Sequence, residues 1–440
     1  MTTTENIAKT LGIIVFPAYD WAISPSHPER EERLLYTHDQ LREEGIFDLP
    51  GITEYKPRVA TFKEVARAHF CPPGFEKTVA HPHLISAGSA ITAADLVMQK
   101  TKQTAFALTR PPGHHAMRIV QGSRGFCTIN IEAVMVEHIR QTYGCKRIAI
   151  VDTDCHHGDG TQDVYWHDPD VLFISVHQDG RTLYPGSGFP TELGGPNALG
   201  TTINIPLPPR TGDEGYLYVM EHLVRPILDA WKPDLVINSA GQDNHFSDPI
   251  TDMNITAQGY GKLVSLLKPD IAVLEGGYAI QGALPYVNLA VLLALAGMDY
   301  SHVIEPALSQ YDTSTDSRTM DYIHKLSDTM LEVTSAPKRL SAEDYSLHRG
   351  WWTRQRDIYY DTDNISESQE DRVKACDNCS GLVQITTRTA SRKNNQCLLV
   401  PHGACEQCQD EGHALLAEAE KSGKPVELYD AVKDSYLRHP

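Results

Sequence analysis

Residues 147–160, Arg147-Ile-Ala-Ile-Val151-Asp152-Thr-Asp-Cys-His-His-Gly-Asp-Gly160, join a short apolar run to a dense cluster of carboxylates and imidazoles. The run is apolar on both faces, as a parallel strand covered by helices on each side requires. The same texture recurs at Gly12–Phe16, Thr104–Leu108, Val171–Val176, Thr202–Ile205, Leu235–Asn238 and Ile271–Leu274. Helical periodicity fills the gaps at Ser89–Gln99, Ile131–Tyr143, Glu214–Trp231 and Ala257–Leu267. This alternation implies right-handed crossovers and an α/β domain of three layers, a mostly parallel sheet flanked by helices. In such sheets ligands gather just beyond the carboxyl ends of the strands.

Polar clusters stand at those ends. Thr104–Leu108 leads into Arg110-Pro-Pro-Gly-His-His115, Leu235–Asn238 into Ser239-Ala-Gly-Gln-Asp-Asn-His245, and Ile271–Leu274 into Glu275-Gly-Gly-Tyr278. Four neighbouring strands would thus deliver His, Asp and Tyr to one edge of the sheet. Alternation at a strand end puts Asp152, Asp154 and His156 on one side. Asp and His together are a recognised zinc ligand set, and Asp243, arriving from another strand, would complete three with a position open for water. A helix cap near Gly160 accounts for one of these carboxylates, not for three beside two histidines. Taken alone, His114-His115 reads as an exposed rigid loop. Beside a metal it supplies the near-neutral base that water needs to attack an amide, with Asp152 and Asp159 available to fix the tautomers. Gly276-Gly277-Tyr278 reads most simply as a half-buried tyrosine; in this company its phenol would donate to an oxyanion.

Acidic residues outnumber basic ones 57 to 39, a net charge of −18, which disfavours general nucleic-acid binding and favours cationic or neutral partners. The longest apolar run, Ala283–Gly297, is broken by Pro285 and Asn288 and is too short to span a bilayer. Met1–Lys9 lacks the order of a secretory signal. A cytoplasmic enzyme with no membrane partner is expected.

Beyond about residue 310 the texture changes. Asp321–Val333 reads as a helix, and the acidic, serine-containing Asp361–Asp371 as a linker. The chain therefore divides into residues 1–310, a helical and linker extension over 311–370, and a small module over 371–440. Five of the nine cysteines fall in that module. Cys376-Asp-Asn-Cys379 and Cys405-Glu-Gln-Cys408, 25 residues apart, predict a closed four-cysteine structural zinc site. Leu382–Thr387 and Gln396–Val400 would be the strands of a zinc ribbon, with Cys397 a strand residue. Chance turns with free thiols are the plainer alternative, which the paired spacing disfavours. Arg388, Arg392 and Lys393 make a modest basic loop, but Asp371–His413 carries five basic and five acidic residues. A homo-oligomer contact or a docking role is expected ahead of nucleic-acid reading.

Together these motifs resemble the histone deacetylase family, which includes acetylpolyamine amidohydrolases and acetoin-utilisation proteins. The resemblance runs from His27-Pro-Glu-Arg-Glu-Glu-Arg33, through Ser123-Arg-Gly-Phe-Cys127, to about residue 300. Arg110-Pro-Pro-Gly-His-His115 is closer to the class II and bacterial branches than to class I. The resemblance implies an arginase/deacetylase-like domain and zinc-dependent hydrolysis of N-acetylated amines. By it, Asp154, His156 and Asp243 hold the catalytic zinc, His115 is the principal base and acid, and His114 tunes its charge. Asp152 and Asp159 stand behind the two histidines, and Tyr278 is the transition-state donor. Phe126, Tyr184 and Gly125 belong to the acyl-lysine tunnel, and Arg33 to the inner cavity through which acetate leaves. Potassium is implied as well, at Asp152, Asp154, His156 and Ser175 for an inner site and at Tyr165, Asp168 and Val171 for an outer one.

Ile250 follows Asp248-Pro249 at a rim position where a polyamine-selective branch carries glutamate. Its apolar side chain gives no help to a second ammonium, so acetyl-lysine in proteins or peptides is expected slightly ahead of acetylpolyamines. Two rivals stand beside this reading. An arginase-like manganese hydrolase shares the architecture but lacks the tandem histidine and the Gly-Gly-Tyr turn. A noncatalytic module binding acetylated amines or nucleic acid would not need every catalytic position that this chain retains.

Overall fold

The computed structural model describes residues 9–71, 79–335, 345–390 and 395–439. Arg392 and Lys393 of the expected basic loop lie outside the described residues. The first unit is built on β1 (Leu11–Phe16), β2 (Ile52–Tyr55), β3 (Thr104–Thr109), β4 (Ile148–Asp152), β5 (Val171–Gln178), β6 (Thr202–Leu207), β7 (Leu235–Ala240) and β8 (Ile271–Leu274). They form one sheet in the order β2-β1-β3-β8-β7-β4-β5-β6, and every pair is parallel. The seven strands expected from the apolar runs are all present. The eighth, β2, is a short edge strand of which only Ile52 is buried, so it leaves no apolar run to read.

Neighbouring residues along the central strands part to opposite faces. Phe106, Val151, Ile174 and Leu274 enter one apolar cluster, while Ala105, Ile150, Phe173 and Val273 enter another. Helices cover both faces, and each larger side chain so buried contributes about 1.5–3 kcal/mol. The helix Ile131–Tyr143 starts where the Asn130 side chain accepts a hydrogen bond from the Ala133 amide at 2.8 Å.

One helical expectation needs correction. Glu214–Trp231 is not one α-helix: Asp213–Val219 and Arg225–Trp231 are separated by a π turn over Met220–Val224. Pro226 has no N–H to continue the ladder, and the widened turn absorbs the lost bond. The Ala283–Gly297 run is a helix, Leu284–Ala296. Pro285 sits in its first turn, where a missing N–H costs nothing, and Asn288 is satisfied by Gln242 at 2.5 Å and Thr37 at 3.2 Å. Among the described residues no helix is long and apolar enough to cross a membrane.

The helix expected after residue 310 spans Ser317–Ser335 and seats Ile323, Leu326 and Met330 in the core of the first unit. The linker reading of Asp361–Asp371 is overturned. β10 (Trp351–Tyr360) and β11 (Ile365–Lys374) form an antiparallel hairpin across that stretch. They belong to a sheet with β9 (Ser346–His348), β12 (Val383–Thr389), β13 (Asn395–Val400), β14 (Val426–Asp430) and β15 (Ser435–His439), in the order β15-β14-β13-β12-β11-β10-β9. Only β13 and β14 run parallel, joined through the helix Glu406–Lys421. The two expected ribbon strands are therefore part of a larger sheet. The linker reading failed because the buried positions of β11 include Glu367, Gln369 and Asp371, so its alternation is invisible to hydropathy.

This sheet lies on the first unit. Phe70 and Ile119 pack with Val373, Ile385 and Cys397, Arg67 pairs with Asp434 at 2.8 Å, and His402 with Glu137 at 2.8 Å. Cys397 is thus a buried strand residue.

Candidate active site

Because β3, β8, β7 and β4 are adjacent, the four polar clusters meet at one edge of the sheet. Register places Asp152, the last residue of β4, between Ser239 and Ser175. Beyond it, one ligand atom each from Asp154, His156 and Asp243 lies within 4.8 Å of the others, and all three residues are buried. Backbone amides hold the carboxylates in place: Cys155 N–H donates to Asp243 Oδ1 at 2.7 Å and Gly276 N–H to Asp154 Oδ2 at 2.8 Å. A Cβ at residue 276 would come within 2.5 Å of Asp243 Oδ2, so only glycine lets this turn close over the pair.

His156 Nδ1 stands 2.9 Å from Asp243 and 3.2 Å from Asp154. Burial opposes a charge on this imidazole, but the two carboxylates outweigh it and push its pKa up to about 10. Two anions and an imidazole turned on one point, away from water, are what a divalent cation relieves, and the donor set suits zinc.

The tandem histidines are held apart electrostatically. His114 Nδ1 lies 3.1 Å from Asp152 Oδ2, and His115 Nδ1 2.7 Å from Asp159 Oδ1. Burial disfavours charge on both. For His114 the neighbouring Asp154 and Asp152 prevail and raise its pKa to about 10. For His115 burial wins, aided by the charge on His114, and its pKa falls to about 3 despite Asp159. The two surroundings thus push the imidazoles in opposite directions, with ring centroids 4.1 Å apart. Asp159 is itself gripped by Arg124 through Nε at 2.9 Å and Nη2 at 2.7 Å. Glu275 secures the loop, accepting from the Gly113 and His114 amides at 2.7 and 3.0 Å.

A cavity of about 300 Å³ opens onto this floor, lined by His114, His115, Phe126, Tyr184, Ile250 and Tyr278 among others. Phe126 holds a left-handed backbone, φ 70°, which a bulky residue keeps only where its surroundings enforce it. Gly125 beside it, also at positive φ, could carry no Cβ without meeting the His115 ring at 2.4 Å. The rings of Phe126 and Tyr278 meet edge to face at 5.7 Å, and those of His115 and Tyr184 at 5.1 Å. Burial holds the Tyr278 phenol well above its ordinary pKa, so it stays a donor.

Arg33 is fully buried, with its guanidinium 4.9 Å over the Tyr278 ring. It donates to the Gly277 carbonyl at 2.7 Å, to the Glu275 carbonyl at 2.5 Å and to Glu29. Arg110 holds the other oxygen of Glu29 at 2.7 Å, a brace that sequence reading missed. Of the expected cation positions, Ser175 Oγ contacts His177 Nδ1 at 2.8 Å, the Tyr165 hydroxyl donates to the Ala133 carbonyl at 3.3 Å, and Asp168 pairs with Arg140 at 2.5 Å. Val171 opens β5. Another lining residue, Asp361, comes from the C-terminal sheet and was also missed.

In the C-terminal unit the sulfurs of Cys376, Cys379, Cys405 and Cys408 converge within 4.8 Å. Three of the separations are 3.6, 3.6 and 3.8 Å. A zinc ion with bonds of about 2.3 Å spaces four sulfurs about 3.8 Å apart, so the group fits a closed site. Cys376→Ser is expected to remove one zinc per chain and lower the melting temperature by at least about 5 °C. Unchanged zinc content and melting would show that the cysteines hold no metal.

A histone deacetylase domain is matched over residues 73–295. A probable deacetylase of Archaeoglobus fulgidus is 45% identical over 310 residues, covering 64% of this chain and 85% of that one. Chloroplastic histone deacetylase 14 of Arabidopsis thaliana is 38% identical over 212 residues, 45% of this chain and 49% of its own length. The solved HD domain of HDA15 superposes with a TM-score of 0.65 at 25% identity, covering 76% of this chain and 98% of that one. The chain belongs to the histone deacetylase family, and is a zinc-dependent amidohydrolase.

Proposed function

We propose that the protein hydrolyses the amide of N-acetylated amines, with acetyl-lysine in proteins or peptides as the favoured substrate, releasing free amine and acetate. The observation that carries this reading is the pair of histidines, His114 with Nδ1 on Asp152 and His115 with Nδ1 on Asp159, facing the Asp154–His156–Asp243 group at the floor of an aromatic-walled cavity. Environments that drive two like groups to opposite protonation states mark an acid and base pair.

Asp154, His156 and Asp243 would hold zinc, which would supply Lewis acidity, polarising a carbonyl and lowering the pKa of water from about 15.7 toward ~7. His115, neutral and fixed through Nδ1 by Asp159, takes the proton of the attacking water at Nε2. His114 keeps its charge against Asp152 and stabilises the negative charge that develops. The Tyr278 hydroxyl donates to the oxyanion of the tetrahedral centre. Protonated His115 then returns its proton to the departing amine, and Arg33 holds the turn that aims Tyr278. Phe126, Gly125 and Tyr184 confine the acyl-bearing alkyl chain, and Ile250 meets it at the rim. Potassium at the inner and outer positions named above, a second zinc in the four-cysteine site, a cytoplasmic setting and assembly into a homo-oligomer belong to the same reading.

One observation favours a second substrate class, small acylated polyamines: a carboxylate, Asp361, lines the cavity on which Ile250 offers none. Turnover of acetyl-lysine peptides, acetylated polyamines and longer acyl-lysines, compared side by side on the zinc-loaded protein, tests the reading. Acetyl-lysine peptides should give the highest kcat/KM. A preference for longer acyl groups, or no hydrolysis of any of the three, would defeat it.

A further inference from the structure

The hairpin that the acidic stretch forms does more than extend the second sheet. Its turn, residues 361–364, lies on the loop that positions the tunnel wall. Asp363 Oδ2 accepts from the Ser123 amide at 2.6 Å, the Tyr359 carbonyl accepts from Arg124, and Asp361 Oδ1 accepts from the Gly125 amide at 3.1 Å. The same oxygen takes the Tyr184 hydroxyl at 3.2 Å. Asp361 thereby ties together both sides of the cavity, beside Gly125 and Phe126 on one hand and Tyr184 on the other, and itself lines the opening.

Its second oxygen, Oδ2, has no hydrogen-bond partner among the described residues, and Asp361 makes no ion pair there. The nearby cation, Arg124, is already committed to Asp159 and to the Tyr359 carbonyl. A half-buried carboxylate, anchored through one oxygen and left with the other at the mouth of a substrate cavity, is placed to accept from a positively charged N–H donor. The remaining rim is apolar or aromatic at Ile250, Leu183 and Phe126, so no other carboxylate among the lining residues competes for it except the buried metal-facing Asp154.

We propose that Asp361, carried by the C-terminal sheet and not by the deacetylase domain, is a specificity-determining residue that selects acylated amines bearing a second cationic N–H group. This rests on the deacetylase reading of the cavity. The shared chemistry is an ammonium or guanidinium a few bonds from the acetylated nitrogen, whether on a diamine or on a residue beside acetyl-lysine in a peptide.

The test uses the full-length zinc-loaded protein and its Asp361→Asn and Asp361→Glu variants. Asparagine keeps an oxygen for Gly125 and Tyr184 but removes the charge. Substrates are N-acetyl-1,4-diaminobutane against neutral N-butylacetamide, and acetyl-lysine tripeptides flanked by arginine against alanine. Asp361→Asn is expected to lower kcat/KM on the cationic member of a pair five- to tenfold more than on the neutral one, chiefly through KM, as befits one partly screened charge pair (roughly). Asp361→Glu should restore the preference, and added salt should erode it in the wild type. The pair that responds, diamine or peptide, identifies the source of the cation. Equal losses on neutral and cationic substrates would reduce Asp361 to a structural tie, and an unchanged ratio in both pairs would overturn the proposal. Calorimetric binding of the same four compounds keeps the two readings separate. Preferential binding of cationic compounds without turnover defeats the hydrolase reading alone, and indifferent binding defeats the role of Asp361 alone.

Discussion

Asp243→Ala is expected to leave the protein folded, with one zinc per chain in place of two, and to cut amide hydrolysis by more than about a thousand-fold. The carboxylate stands at the carboxyl end of β7, with Oδ1 held by the Cys155 amide and Oδ2 turned on His156. On the proposed zinc site, its removal would leave Asp154 and His156, two ligands where three are needed. The lost Lewis acid is worth several kcal/mol in an amide transition state, and each 1.36 kcal/mol is tenfold in rate. The fold should survive because the neighbouring strands are buried on both faces and the substitution relieves Asp154 of a second buried carboxylate, at the cost of the Asp243 contacts with His156 and the Cys155 amide. Metal analysis, circular dichroism and turnover on one preparation check all three expectations. Wild-type turnover with both zincs retained would remove Asp243 from the site.

Tyr278→Phe has the next largest expected effect and a different pattern. The phenol lies beside Phe126, under the Arg33 guanidinium, at the end of a turn whose carbonyls Arg33 holds. Phenylalanine fills the same space and keeps the edge-to-face contact, so folding, zinc content and substrate binding should change little. What disappears is one donor to the oxyanion, worth about 2.7–4 kcal/mol in the barrier, or roughly a hundred- to thousand-fold in kcat. KM should stay within about threefold, because the bond is made in the transition state and not in the ground state. A rise in KM at constant kcat would recast Tyr278 as a binding residue.

Much of this was legible in the amino-acid order because buried parallel strands leave continuous apolar runs, and the chain turns polar where a strand ends. Ile148–Asp152 shows both features within five residues. Asp154, His156 and Asp243 could be named together because each follows a strand, although only coordinates show that β4 and β7 are neighbours. What escaped detection has a common cause. Glu29 and Arg110 form a buried ion pair whose partners are far apart in sequence, and nothing local marks either one as buried. Asp361 sits in a turn between strands whose inner face carries Glu367, Gln369 and Asp371, satisfied by Gln121, Tyr360, His167 and Arg354. Hydropathy reads such a strand as solvent-exposed, since its core is built from hydrogen bonds and charge pairs. The π turn at Met220–Val224 was hidden for the opposite reason: periodicity continues through it, and only Pro226 hints at the break.

The proposed hydrolysis requires a single ion where Asp154, His156 and Asp243 converge. Anomalous diffraction from crystals of the protein, recorded on both sides of the zinc absorption edge, tests it most directly. Two peaks are predicted per chain, one between those three side chains and one amid the sulfurs of Cys376, Cys379, Cys405 and Cys408. Zinc density among the sulfurs alone, with the aspartates and His156 bonded only to each other, would contradict the account.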